Sequence, residues 1–307
     1  MIGYIVRKVL YSILVLAGVV VVTFFIRPPG DPTAVLLGQR ADSTQVAMLR
    51  EQLALDKPLL HQIVRYGQNL LHGDLGKSIA SGHTDVAELI LDRLPATALL
   101  ASSSMLLATV FGILLGALAA YRPNTWIDTL TMSTSLLGIS LPAFVVGLLI
   151  ALVFGVVLEW FPLTGYIDRG PEYIVLPMIT LAARPLSVVA RITRSSMLDV
   201  LGLDYIRTAR AKGLSTAQVF LKHALRNALN PVITTISAWF AGLLAGTYFI
   251  EFIFNWPGVG LAAFNAIEKL DYPMIQGTVL LTAVIFVVVN TLADVVYGLI
   301  DPKVRIT

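Results

Sequence analysis

The chain reads as an all-α membrane protein with six transmembrane helices. Its composition, 56% hydrophobic against 13% charged over 307 residues, exceeds what a soluble globule needs to fill its core. Six apolar stretches approach the roughly 20 helical residues that cross a hydrocarbon layer about 30 Å thick. Lysine and arginine concentrate in alternate connections, as they do where loops face the cytoplasm.

The first stretch, Val9–Ile26, is uncharged and follows Arg7 and Lys8. A cleaved signal peptide begins in the same way. Here, however, the 18-residue run ends in Arg27-Pro28-Pro29-Gly30-Asp31-Pro32 and lacks a small-x-small cleavage site, so residues 1–26 are expected to stay as a helix. Residues 27–96 form the longest polar segment and are expected to be a helical insertion. Val46, Leu49 and Leu53 follow helical spacing after a cap at Asp42 or Ser43, and Leu59, Ile63 and Leu70 do so after Pro58. Gly73, Gly76 and Gly82 break the pattern. Val86, Leu89, Ile90 and Leu94 resume a helix that is expected to stop at Pro95.

Residues 97–307 hold the other five spans as a core domain, with a polar loop at about 200–230. Thr97–Tyr121, Pro231–Ile250 and Met274–Ala293 are uncharged, and Tyr173–Ala190 carries only Arg184. Thr129–Leu158 is uncharged over 30 residues, about 45 Å as one helix, so it must tilt, bend near Pro142 or lie partly in the interface. Gly112/Gly116 and Gly242/Gly246 are each one turn apart, which allows a close helix neighbour, either inside this bundle or in another subunit.

Six spans put both termini on one side. With the N-terminus inside, the cytoplasmic pieces hold 12 basic and 4 acidic residues, and the opposite side holds 9 basic and 14 acidic, so both termini are expected in the cytoplasm. The absence of cysteine excludes disulfides and thiolate metal sites, and leaves the redox compartment open. No basic stripe interleaves with aromatics, so nucleic acid is not expected as a partner.

Enzyme chemistry is not expected either. His61, His72, His83 and His223 all fall outside the spans, and Asp294 is the one carboxylate within them, so neither a Ser-His arrangement nor an aspartyl dyad can be built there. Gly76-Lys77-Ser78 resembles the end of a phosphate loop, but Leu71 stands where that motif needs glycine. The eleven-residue recurrence of His61, His72 and His83 is interrupted by glycines and reads as surface histidine rather than as a metal site. Two ionisable groups lie within spans. Arg184 is placed toward the inner part of the fourth, and Asp294 near the inner end of the sixth, one turn after Asn290. Each either pairs with a neighbouring helix or lines a hydrated path.

The most informative segment is the polar island Asp204–Pro231. It carries Arg207, Arg210, Lys212, Lys222 and Arg226 against Asp204 alone. Asp204 to Leu214 reads as a short helix ended by Gly213, a residue free to take positive φ. Ser215-Thr216-Ala217-Gln218 fits a capping box, which starts a second helix expected to run to Asn230-Pro231. Small Thr208, Ala209 and Ala211 admit a close partner surface, and the neighbouring cations offer charge to its carboxylates. Contact with anionic lipid is the simpler reading, but it requires neither the hinge nor the small residues.

The run DYIRTARAKGLSTAQVFLKHALRNALNPVI resembles the cytoplasmic loop of inner-membrane permeases of ATP-binding-cassette (ABC) importers, specifically the dipeptide/oligopeptide/nickel class. PPGDP at 28–32, LHGDLGKS at 71–78, RLPAT at 93–97, FPLTGY at 161–166, FNWPGVG at 254–260, DYPMIQG at 271–277 and DPKVR at 301–305 extend the likeness along the whole chain. The broader importer family has Glu-Ala-Ala, three residues, Gly and later Leu-Pro. Here Ala209 and Gly213 match, whereas Arg207, Thr208 and Arg226 stand at the Glu, first Ala and Pro positions.

The resemblance implies a type I ABC importer permease fold in the bacterial cytoplasmic (inner) membrane. It implies a coupling helix with Arg207, Thr208, Ala209, Arg210, Ala211, Lys212, Gly213, Leu214 and Ser215 at an ATPase contact. It also implies a second related permease, two cytoplasmic ATPase subunits or domains carrying ATP and Mg, an extracytoplasmic solute-binding protein and surrounding lipid. This chain would bind no cofactor and would work by alternating access on peptides, glutathione, nickel complexes or haem.

Overall fold

The computed structural model describes residues 2–25, 50, 56–245 and 247–300, with side chains at 7, 8, 10–25, 50, 56–245 and 247–292. The elements are helical apart from one two-stranded hairpin. Helix α1 (Ile2–Phe25) leads to α2 (Leu59–Leu71), then to β1 (Lys77–Ser78) paired antiparallel with β2 (Thr84–Asp85), and to the long α3 (Val86–Tyr121). Helix α4 (Trp126–Ser140) is followed by α5 (Ala143–Ile150), which continues as a π-helical turn over Ala151–Val157. Helix α6 (Val175–Leu201) leads to the short α7 (Asp204–Ala211) and the composite α8 (Thr216–Ala245). Helices α9 (Tyr248–Ile253), α10 (Val259–Glu268) and α11 (Tyr272–Ile300) complete the order. The expected helix over Val46, Leu49 and Leu53, with its cap at Asp42 or Ser43, lies outside the described residues, as do PPGDP, DPKVR and Gly246.

Among the described residues, α3, α6 with its leading turn, α8 and Tyr272–Leu292 of α11 are long and apolar enough to cross a membrane. The bent α4–α5 pair is a fifth candidate. Helix α1 contributes an apolar segment of Leu10–Phe25, shorter than a full span. The count read from sequence was six. The surface of these helices is apolar, with Leu106, Leu114, Leu130, Leu137, Leu148 and Leu152 all largely exposed. Hydrocarbon is the solvent that such a surface matches.

The uncharged 30-residue stretch is broken by a 109° bend between α4 and the helix that starts at Ala143. Leu141 precedes Pro142 and takes the extended conformation that a following proline ring imposes (φ −81, ψ 134). Two other prolines behave differently from expectation, and a third also lies inside a helix. Pro95 does not stop a helix but sits within α3, Pro231 sits within α8, and Pro185 within α6. An internal proline costs about 3 kcal/mol. At Pro95 that cost is offset by burial on both sides, with Ile90, Thr97 and Leu100 almost wholly inside. The Trp256 indole Nε1 also donates to Ala96 O at 2.9 Å.

Helices α3 and α6 form the most extensive pair, and glycine makes it possible. A Cβ at Gly112 would stand 2.8 Å from Val189 Cβ, and one at Gly116 would overlap the Ala190 carbonyl oxygen. This pair packs within the bundle. A Cβ at Gly242, by contrast, would meet nothing within 4 Å. The core has a central cluster around Leu100, Met105, Leu176, Val189 and Trp256, and a smaller cluster at each end. We call the end that carries the helical hairpin of α7 and the start of α8 the hairpin end, and the other, which carries the β1–β2 pair, the far end. Helix α2 folds back on α1 through an edge-on Phe24–Tyr66 contact at 5.7 Å. Burial pushes the Tyr66 phenol up to about 12, so it stays neutral.

Candidate functional site

At the hairpin end, α7 is amphipathic over its two turns. Ile206 and Ala209 are buried against Ala120 of α3, Met197 of α6 and Val219, Phe220 and Ala224 of α8. Arg207, Thr208, Arg210, Ala211, Lys212, Gly213, Leu214 and Ser215 are all exposed. Of the residues expected to face a partner, Ala209 is therefore corrected. Its small side chain lets α7 approach its own bundle rather than another protein.

Gly213 ends the helix at φ +80, and Leu214 N donates back to Ala209 O at 3.4 Å. The capping box forms in both directions. Gln218 N donates to Ser215 Oγ at 3.3 Å, and Ser215 N donates to Gln218 Oε1 at 3.1 Å. The helix that it starts does not end at Pro231. It passes through a π-helical turn over Val219–Leu225 and runs on to Ala245. Tyr205 pins α7 to this base, its Oη accepting from Asn227 Nδ2 at 2.8 Å. Arg207 pairs with Asp204 at 3.4 Å in full solvent, so both charges remain open to a partner. Leu203, Leu214 and Leu221 add exposed apolar surface beside these charges.

Just inside the hairpin end lies an ion pair that the sequence reading passed over. Asp128, 4% exposed in the first turn of α4, accepts from Arg194 Nε at 2.5 Å and from Nη2 at 2.6 Å. Asn124 N supplies a third bond at 2.9 Å. The bidentate geometry ties α4 to α6. Asp128→Ala should destabilise the solubilised chain by about 2 kcal/mol, below the roughly 3–5 kcal/mol for breaking a fully buried pair, because the Arg194 side chain keeps 24% exposure and water can solvate the charge left behind. Thermal unfolding of the variant beside wild type measures this, and an unchanged midpoint would show the pair to be dispensable.

The expected span residues are dispersed. Arg184 lies nine residues beyond Val175 and seventeen before Leu201, near mid-helix rather than toward the hairpin end. Its guanidinium sits over the Trp239 ring at 5.8 Å. Asn290 donates to Phe286 O at 2.9 Å along its own helix. The Asp294 side chain lies outside the described residues.

At the far end, segments distant in sequence meet. Glu251 is fully buried and accepts from Thr97 Oγ1 at 2.7 Å, Thr247 Oγ1 at 2.6 Å and Leu261 N at 3.0 Å. Thr97 Oγ1 in turn accepts from Val259 N at 2.9 Å. Tyr166 stacks edge-on against Trp256 at 4.8 Å. RLPAT, FPLTGY and FNWPGVG thus form one knot. LHGDLGKS and DYPMIQG form another, where Ser78 Oγ donates to buried Asp271 Oδ2 at 2.5 Å and Ala80 N donates to the same oxygen at 3.1 Å. The one available signal for Glu251 was an acid set in the apolar run Tyr248–Phe254. Among the described residues no cluster of His, Cys, Asp or Glu could hold a metal ion.

Over residues 112–306 the chain matches the model of the binding-protein-dependent transport system inner membrane component, and over 1–101 that of the N-terminal part of such components. It is 43% identical over 307 residues to the glutathione transport system permease protein GsiC of Escherichia coli O6:H1, across 99% of each chain. The GsiC of Salmonella paratyphi A is also 43% identical, over the same span. Among solved structures, the chain is similar to an inward-facing MetNI methionine ABC transporter (TM-score 0.56, 17% identity, 69% of this chain and 96% of that one). An amino acid ABC transporter solved with histidines is similar at TM-score 0.53 and 15% identity, covering 71% of this chain and 94% of that one. At these identities the likeness is one of fold.

Proposed function

Because this chain belongs to the binding-protein-dependent transport system inner membrane components, the non-catalytic permease subunits of ABC importers, we propose that its α7 hairpin seats a partner ATPase and that its bundle forms half of a translocation pathway. The observation that carries the reading is the division of α7 into two faces. One is locked into the bundle by Ile206 and Ala209, and the other offers Arg207, Arg210 and Lys212 to the outside. A helix built in this way moves as a unit with the ends of α3, α6 and α8. A partner that closes on ATP displaces it and so biases one of two bundle packings over the other.

ATP and Mg belong to two ATPase subunits or domains. A second related permease supplies the other half of the pathway, and a solute-binding protein delivers the solute at the far end. Both termini lie in the cytoplasm of a bacterial cell. Residues 1–26 are an anchor helix, 27–96 an extracytoplasmic insertion and 97–307 the core. The solute is a short peptide of the size of glutathione, a reading supported by the names of the relatives at 43% identity.

The test uses two variants at one position. Asp and Asn both tolerate the positive φ found at Gly213, and no atom stands within 4 Å of a Cβ placed there, so both fit the hairpin. They differ in charge alone. In the reconstituted importer, Gly213→Asp should lower binding-protein-stimulated ATP hydrolysis about tenfold, while Gly213→Asn keeps most of it. Equal and unchanged stimulation in both would overturn the docking role.

A further inference from the structure

We infer that the face of α6 bearing Arg184, Val188, Arg191 and Ser195 lines the translocation path and handles a carboxylate of the solute. The inference rests on the reading of the chain as half of a pathway. The four positions are spaced by four, three and four residues, which places them on one stripe of the helix. Arg184, Arg191 and Ser195 are exposed and Val188 is half-buried. The opposite side of α6 is packed, with Ala182, Val189, Ala190 and Met197 buried against the rest of the bundle.

Two guanidinium groups on an unpacked stripe of a membrane helix need water or anions opposite them, because hydrocarbon solvates neither. Neither finds a carboxylate among the described residues. The guanidinium of Arg184 lies beside the Trp239 ring. The charges on the elements packed around the stripe are few. Helix α4 carries Asp128, which Arg194 occupies from both oxygens, and α8 from Asn227 to Ala245 carries no acid. Arg191, Arg194 and Ser195 face Met132 and Leu136 across a hollow of about 430 Å³, large enough for water and a small solute group. Arg184 and Arg191 are separated by seven residues, about 10 Å along the axis, so an anionic group released by one meets the other next. The solute class that fits is one with a free carboxylate, such as an unblocked peptide. A solute of net positive charge would be disfavoured.

The chain has no cysteine, so single thiols placed at Val188→Cys and Ser195→Cys, with labelling read on this chain after its separation from the partner subunits, report on this face alone. In the complete importer in lipid vesicles, each is treated with a sulfonate-bearing methanethiosulfonate and with a trimethylammonium-bearing one, with and without nucleotide. Both thiols should label in at least one nucleotide state, with the anionic reagent favoured. Changing Arg184 and Arg191 together to Gln should lower the anionic-to-cationic rate ratio about tenfold, and changing both to Lys should preserve it. Absence of labelling in every state means that lipid or the second permease covers the face, and it overturns the inference. A ratio that ignores the Gln changes does the same. Labelling does not depend on ATPase coupling, so failure here is distinct from failure of the Gly213 test.

Discussion

Glu251→Ala should cost the permease about 3–5 kcal/mol of stability, the sum of an unpaired buried N–H and a large-to-small cavity. The carboxyl is the acceptor on which Thr97 Oγ1, Thr247 Oγ1 and Leu261 N converge, and no cation among the described residues shares it. Alanine leaves the Leu261 N–H without a partner, frees both hydroxyls and opens a cavity between α3, α9 and α10. Glycine at 258 and 260 leaves room for this carboxyl, since a Cβ at either would come within 2.9 Å of Glu251 Oε2. Glu251→Gln keeps the volume but turns one acceptor into a donor, so it should fall between alanine and wild type. In thermal unfolding of the solubilised chain, the expected drop for alanine is about 5–10 °C. An alanine variant within about 1 °C of wild type would sink the idea that this knot holds the far end together.

Gly116→Val should be nearly as damaging, by a different route. A Cβ there overlaps the Ala190 carbonyl oxygen and stands 2.7 Å from Thr193 Cβ, and neither atom belongs to the end of a flexible side chain. Helices α3 and α6 must separate, and forcing bulk into so close a contact costs about 3 kcal/mol. Separation also disturbs Met197 and Ala120, the floor on which Ile206 and Ala209 of α7 rest, so the variant should lose hairpin order together with stability. Gly242→Ala is the opposite case. With nothing within 4 Å and a helical backbone around it, alanine should be neutral or stabilise the isolated chain by about 0.5–1 kcal/mol. The contrast is measured by melting both variants beside wild type and by limited proteolysis of the 204–218 hairpin. Equal effects at the two glycines would contradict the packing described for α3 and α6.

The two glycine pairs looked alike in the sequence. Both show the small-xxx-small spacing, and nothing local tells Gly116, pressed against a carbonyl, from Gly242, which faces open space. The same holds for proline. Pro142 bends the chain and Pro95 does not, although each follows a leucine. Burial of Ala96 and Thr97 under Trp256 decides the second case, and Trp256 is 160 positions away from Ala96.

Properties that depend on neighbours within a few residues could be read directly from the chain. Hydropathy placed the long apolar helices, because each peptide in hydrocarbon must satisfy its own hydrogen bonds locally. The hinge at Gly213 and the capping box at Ser215–Gln218 were visible because both are short-range backbone requirements. The likeness of the 204–231 segment to a coupling loop located the candidate site. Properties that depend on which distant segments meet emerged only on folding. Asp128 finds Arg194 across 66 positions, Glu251 finds Thr97 across 154, and Ser78 finds Asp271 across 193. Ala209 turns inward because α6 and α8 offer it a floor, and Arg184 and Arg191 stay open because no acid among the described residues is paired with them. An aspartate or a glutamate carries its one letter in the sequence whether it is solvated, paired or buried, and the three-dimensional packing selects among these states.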